Sequence, residues 1–275
     1  MKKADEVVPG HDEQATLPRG RKSLGQHFLI DRNIVRKIVR LAELQPGETV
    51  LEIGPGRGIL TEALLDVSGA VIAIEVDSVL NAHLREVFRN RSGLKLIEGD
   101  ALALDFACLP EAFLVVANLP YYISTPLVFR LLKEGARINR MVLMMQAEVA
   151  ARLAASPGSK AYGVLSIATQ FRCEVRLAFK VSATCFQPPP RVGSAVVVLT
   201  PLLRPRLSVN NEGFFFKVVR AGFAHRRKSL ANSLRDEGFN PEKTRSALME
   251  AGIDGTRRGE TLSMQEFGAL ANHLQ

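Results

Sequence analysis

The 275 residues predict an α/β fold, a parallel sheet with helices on both faces, followed by a small all-α C-terminal domain. Three observations carry this. From Thr49 onward, short apolar β-branched runs alternate with helical patterns, which is how successive strand–helix units read. Two later apolar runs, around 173–181 and 194–200, have no helix-period partner. Beyond Pro201 the pattern is helical and punctuated by turn residues.

The elements follow in order. Residues 1–18 are polar, without periodicity, and expected to form a flexible tail. Within Arg32–Arg40, Arg32, Arg36 and Arg40 recur at i, i+4 and i+8, with Ile34, Val35, Ile38 and Val39 opposite, so an amphipathic helix with an arginine stripe is predicted. TVLEI at 49–53, VIAIE at 71–75, LKLI at 94–97, FLVVA at 113–117 and RMVLMM at 140–145 read as strands. Between them ILTEALLD, the stretch from Ser78 to Arg89 and one opened by Ser124-Thr125-Pro126 read as helices, the last with a hydroxyl N-cap before a first-turn proline. The runs at 173–181 and 194–200 are expected to complete the sheet as antiparallel edge strands. NNEGFFFKVVRAGF, RRKSLANSLRDEGF, NPEKTRSALMEAGI and GETLSMQEFGALANHL then supply the helical domain, with Asn240-Pro241 and Ala251-Gly252 marking helix ends. The division is therefore 1–18, 19–200 and 201–275, with the boundary near residue 200.

With 47% hydrophobic and 23% charged residues, a packed protein is expected and a disordered one excluded. No apolar run approaches the roughly 18 residues of a membrane span, and the N-terminus lacks a secretory h-region, so a cytoplasmic protein is expected. Cys108, Cys173 and Cys185 are too widely spaced for a zinc site or a disulfide framework and read as reduced packing residues, with no metal. The 36 Lys+Arg and 28 Asp+Glu leave +8, which admits a polyanion or an anionic membrane surface as partner. This charge is clustered. Seven basic residues lie between Arg19 and Arg40 (Arg19, Arg21, Lys22, Arg32, Arg36, Lys37, Arg40), and a second group, Arg220, His225, Arg226, Arg227, Lys228 and Arg235, is read on one helical stretch. Solvated helix faces would explain either alone. A ligand motif between them favours phosphate-backbone contact by Arg32, Arg36, Arg226, Arg227 and Lys228.

That motif follows the first strand: Glu52-Ile53-Gly54-Pro55-Gly56-Arg57-Gly58, leading into a helix. Such glycines let the backbone turn tightly against a ligand, and the helix offers unpaired N–H groups. A dinucleotide fingerprint would need glycine at 59, which is Ile59. Glu75, at the end of the second strand, is placed to accept from both ribose hydroxyls, and Asp100, after the third, from an adenine amino group. The ordered set resembles motif I and the two acids of class I S-adenosylmethionine-dependent methyltransferases, which implies a Rossmann-like sheet.

After the fourth strand comes Asn118-Leu119-Pro120-Tyr121-Tyr122. An aromatic exocyclic amine is a poor nucleophile because its lone pair is delocalised into the ring. The Asn118 side-chain oxygen and the Leu119 carbonyl are candidates to accept its two N–H bonds, so that the nitrogen pyramidalises toward a methyl donor. Pro120 would stiffen that carbonyl, and Tyr121 offers a face for an extruded base. The competing reading is a plain strand-to-helix turn. The run resembles the Asn/Asp-Pro-Pro-Tyr signature of amino-group methyltransferases, and its leucine variant points to the ribosomal RNA adenine N6-dimethyltransferases.

Four more stretches carry that resemblance over about residues 19–270. Gly25-Gln26-His27-Phe28-Leu29 is similar to the family's N-terminal motif, implying that His27 and Leu29 contact the methionine part of the cofactor. Ser159-Lys160-Ala161-Tyr162-Gly163 resembles a loop of the bacterial ribosome-assembly branch. Phe186-Gln187-Pro188-Pro189-Pro190-Arg191-Val192, with Ser194, resembles the proline loop whose phenylalanine stacks on the second face of the target adenine. Phe223-Ala224-His225-Arg226-Arg227-Lys228, with Leu230, Asn232 and Leu234, is similar to the basic signature of the C-terminal domain. Gly193 and His225 depart from the usual aspartate and glutamine, in RNA-facing stretches only.

The resemblance to the small-subunit (16S) branch implies S-adenosylmethionine as donor, held by His27, Leu29, Gly54, Gly56, Glu75, Asp100 and Asn118. Asn118, Leu119, Tyr121 and Phe186 become the catalytic set. It implies dimethylation of two adjacent adenosines near the 3′ end of 16S rRNA within the 30S subunit, by a monomer. Three alternatives remain at this stage: a resistance-type 23S rRNA methyltransferase, a DNA adenine methyltransferase, and an assembly factor whose methylation is secondary.

Overall fold

The computed structural model describes residue 18 and residues 26–275, so residues 1–17 of the expected tail, Arg19, Arg21, Lys22 and Gly25 lie outside the described residues. The strands expected from the sequence form β2 (Thr49–Ile53), β3 (Ala70–Glu75), β4 (Leu94–Glu98), β5 (Phe113–Asn118), β6 (Ile138–Gln146), β7 (Cys173–Val181) and β9 (Ser194–Pro201). They lie in one sheet in the order β4-β3-β2-β5-β6-β9-β7. Pairing is parallel from β4 to β6 and antiparallel for β6–β9 and β9–β7. Only β7 of the two late strands is at the edge; β9 is interior, and its apolar run is buried on both faces.

Strand alternation divides the core in two. Leu51, Ile53, Ile72, Ile74, Val115 and Leu143 point to one face, under α4 (Ser124–Lys133), α5 (Ala147–Leu153) and α6 (Val164–Arg172). Val50, Val71, Ala73, Leu114, Val116 and Val142 point to the other, under α1 (Arg32–Ala42), α2 (Ile59–Ser68) and α3 (Ser78–Val87). The arginine stripe is as expected: Ile34, Val35, Ile38 and Ala42 are buried on α1, while Arg32, Arg36 and Arg40 are exposed. Asp31 caps that helix, accepting from the Asn33 and Ile34 amides at 2.7 and 3.3 Å.

Three expectations need correction. Ser124 does not cap α4: a 3₁₀ turn over Tyr121–Ile123 runs directly into the helix, and the buried Ser124 hydroxyl donates back to the Pro120 carbonyl at 2.9 Å. The basic stretch from Arg220 to Arg235 is not one helix. α7 (Glu212–Ala224) ends at His225, and α8 (Leu230–Asp236) starts afresh because the Leu230 and Ala231 amides donate to the carbonyls of Arg257 and Gly255 instead of continuing a helical ladder. The helical core also crosses residue 200. Ala155, Tyr162, Ile167 and Phe171 join α7, α8, α9 (Pro241–Glu250) and α10 (Met264–Leu274) in one cluster. A last feature has no sequence signal at all: β1 (Phe28–Leu29) pairs antiparallel with β8 (Phe186–Gln187) as a two-residue ribbon.

Candidate active site

The site forms where β2, β3, β4 and β5 end, the edge at which open α/β sheets bind ligands. Gly54, Gly56 and Gly58 all have positive φ (71°, 60° and 85°), and the turn is tied to β3 by the Gly54 amide on the Ile74 carbonyl at 3.0 Å. At two positions only glycine fits for a second reason. A Cβ on Gly56 would stand 2.9 Å from the Phe28 ring, and one on Gly58 2.6 Å from Phe88.

Glu75 closes the turn from the side, its two carboxylate oxygens accepting from the Gly56 amide at 3.2 Å and the Asp77 amide at 3.0 Å. Burial raises its pKa above the ordinary carboxylate value. Asp100 is exposed and accepts the Leu102 amide through one oxygen at 2.8 Å. Glu52, quoted in the motif but given no role there, is 1% exposed with one carboxylate oxygen unpartnered. Burial, with a contribution from the Glu75 charge, pushes it up to about 8.

The cavity above these residues is lined by His27, Leu29, Glu52, Gly54, Gly56, Glu75, Asn118, Leu119 and Tyr121, among others. A second hollow holds Asp100 and shares Gly54, Glu75, Val76, Pro120 and Tyr122 with it. The structure thus brings every predicted cofactor residue to one continuous groove.

Asn118 ends β5. Its amide nitrogen donates to the His27 carbonyl at 3.4 Å, and its buried side-chain oxygen has no partner. Leu119 is pinned by its amide on the Met144 carbonyl at 2.9 Å, with its side chain in the core, so what it offers the cavity is backbone. No described donor reaches its carbonyl. The Tyr121 hydroxyl meets Ser194 Oγ at 2.5 Å, and its ring lies 5.6 Å from that of His27. Burial raises the phenol's pKa, so it stays neutral. His27 Nδ1 donates to the Pro188 carbonyl at 2.8 Å, tying the N-terminal motif to the proline loop.

Phe186, expected on the second face of the target adenine, faces away from the cavity. It is 3% exposed, packed in the second core cluster opposite Leu29, and does not line the cavity. The β1–β8 ribbon covers the Phe186 ring, so Tyr121 is the ring of the expected pair that lines the cavity.

Of the expected RNA contacts, Arg32 faces Glu62 at 3.4 Å and Arg36 donates to Asn33 at 2.7 Å, both at the surface. Arg226 donates to the Lys160 carbonyl at 3.0 Å, Lys228 pairs with Asp236, and exposed Arg227 has no partner among the described residues. Cys173 is buried and its thiol is pushed up to about 12, fitting a packing role. Sequence reasoning gave no role to Glu52, Arg57 or Ser194; a carboxylate inside the apolar run TVLEI was the one available signal.

The ribosomal RNA adenine dimethylase family matches residues 18–275. The ribosomal RNA small subunit methyltransferase A of Moorella thermoacetica is 49% identical over 274 residues, covering 96% of this chain and 94% of that protein. That of Pelotomaculum thermopropionicum is 47% identical, with 92% and 90% covered. A crystal structure of a dimethyladenosine transferase from Plasmodium falciparum matches with TM-score 0.77 at 29% identity, covering 89% of this chain and 96% of that one. The 23S rRNA methyltransferase ErmE matches with TM-score 0.69 at 28% identity, covering 90% and 99%.

Proposed function

Because the chain belongs to the ribosomal RNA adenine dimethylase family, we propose a mechanism built on one observation: the Asn118 side-chain oxygen and the adjacent Leu119 carbonyl have no donor among the described residues. The protein is an S-adenosylmethionine-dependent methyltransferase that dimethylates adenine in small-subunit ribosomal RNA. The finer target is N6 of two adjacent adenosines near the 3′ end of 16S rRNA in the 30S subunit, modified by a cytoplasmic monomer during subunit biogenesis.

The groove fits the donor. Its glycine turn leaves no room for a Cβ at Gly56 or Gly58, and its wall carries carboxyl groups at three points, Glu52, Glu75 and Asp100. S-adenosylmethionine, when bound, supplies a methyl group on a positively charged sulfur. The Gly54–Gly58 turn would hold it by backbone, Glu75 would accept ribose hydroxyls, Asp100 the adenine amino group, and His27 and Leu29 would cover the methionine end. Glu52 is neutral when alone and would ionise beside a cation.

Two vacant acceptors are what an exocyclic amine needs. Asn118 and Leu119 would take its two N–H bonds and draw the nitrogen lone pair out of the ring's conjugation. Tyr121, braced by Ser194 and His27, would stack on one face of the base. Proximity and alignment supply most of the acceleration, and no strong base is required before transfer. The first methylation leaves the amine with one N–H, so the second proceeds with one acceptor given up. Phe186 could reach the base only if the ribbon opened. Arg32, Arg36, Arg226, Arg227 and Lys228 would grip phosphates and set register without reading sequence.

The 23S reading rests on a structural match at 28% identity, against relatives at 47–49% over at least 90% of both chains for the small subunit. The test uses under-methylated 30S subunits, labelled S-adenosylmethionine and nucleoside analysis. Wild type should form N6,N6-dimethyladenosine in 16S rRNA, and Asn118→Ala should lose about 10²–10³ in rate while still binding the subunit. Label confined to the large subunit, or loss of subunit binding in the variant, would overturn this assignment.

A further inference from the structure

The β1–β8 ribbon has two residues per strand, and isolated two-stranded pairings are marginal in water. Yet it joins both halves of the site. β1 brings Leu29 to the cavity wall, and β8 opens the proline loop that ends at Ser194, the brace of Tyr121. One side chain holds this ribbon from the glycine turn. Arg57, between the left-handed Gly56 and Gly58, donates from Nη1 to Gln187 Oε1 at 3.0 Å, and from Nε and Nη2 to the Pro18 carbonyl at 3.1 and 2.9 Å. Its guanidinium carbon lies 4.4 Å from the centroid of the Phe28 ring, within cation–π reach. Phe28 in turn covers Gly56 so closely that a Cβ there would collide with it. A planar fork suits such divergent partners, whereas an ammonium could serve only one direction at a time.

We propose that Arg57 is a positioning residue that fastens the β1–β8 ribbon to the glycine turn, so that one side chain sets both the wall around the methyl donor and the loop bracing the target base. The inference rests on the cavity being the donor site. Its attachments lie on the turn, the N-terminal strand and the proline loop, so its removal should affect donor binding and turnover together and leave the part of the RNA grip on the C-terminal helices, Arg226, Arg227 and Lys228, alone.

The experiment compares wild type, Arg57→Ala, Gln187→Leu, the double variant and Arg57→Lys. Donor affinity is read by calorimetry, kcat on under-methylated 30S subunits, and subunit affinity by filter binding. Arg57→Ala should weaken donor binding about tenfold and lower kcat similarly, with subunit affinity within about twofold of wild type. Gln187→Leu should give a smaller loss that vanishes in the Arg57→Ala background, as coupled partners require. Arg57→Lys should recover part of the loss. Donor affinity and kcat of Arg57→Ala within about twofold of wild type, or additive losses in the double variant, would overturn the proposal. If Arg57→Ala does not fold, Gln187→Leu decides, since it alters an exposed hydrogen bond only: a loss in donor affinity and kcat supports the role, and unchanged values overturn it. Wild type that binds no donor would remove the reading of the cavity itself, a different failure from variants that bind as well as wild type.

Discussion

Glu52 is a carboxyl in a strand interior, and burial holds it near the neutral form with a pKa of about 8 against an ordinary 4.5. A carboxyl whose folded-state value is raised contributes stability that is fully present below the unfolded value and is lost as pH rises through the folded one. Without ligand, the thermal midpoint of wild type should therefore fall relative to Glu52→Gln as pH goes from about 5 to about 8 and level off above that. Parallel melting curves for the two proteins across that range would contradict it. Gly54, Gly56, Glu75, Asp100 and Asn118 could be picked out in the sequence as candidates from their types and order, and the structure gathers them along one groove. The burial of Phe186 was not legible, since whether a ring faces a cavity or fills a core depends on what is packed against it.

The interior strands β2, β3, β5, β6 and β9 were legible as elements because each is a largely apolar run, mostly buried from both faces, while the edge strands β4 and β7 carry exposed polar residues among their apolar ones. The C-terminal helices were legible from caps such as Asn240, which accepts from the Glu242 and Lys243 amides at 2.9 and 3.0 Å. How these helices meet was not. On α7, a Cβ at Gly222 would lie 2.7 Å from the ring of Phe267 on α10, and Phe267 is fully buried. Overpacking of this kind costs about 1–3 kcal/mol, set against less than about 1 kcal/mol gained from alanine's helix propensity. Gly222→Ala should thus lower the urea midpoint without changing the m-value; an unchanged midpoint would mean that the α7–α10 contact yields easily. The β1–β8 ribbon escaped the sequence for a different reason: two residues are too few to show a period.

Over the whole molecule the +8 charge now has positions. Arg32, Arg226 and Lys228 each face an acid, so part of the excess is compensated internally, while Arg227 stands without a partner among the described residues. If these groups grip phosphates, subunit binding should weaken steeply with salt and donor binding should hardly change. Arg227→Ala should reduce the salt slope by about one. Equal salt sensitivity for the two ligands would place the RNA contacts elsewhere.

The sequence by itself determined the α/β class, the position of the site at the strand ends and the type of chemistry, because residue type fixes which groups can accept, stack or turn. Tertiary structure alone decided which groups remain unsatisfied and which are sealed. Asn118 keeps a vacant acceptor, Phe186 lies in the core, and Arg57 finds partners 39 and 130 residues away in the chain. Burial and hydrogen-bond satisfaction are properties of what packs around a residue, and those neighbours come from distant parts of the sequence.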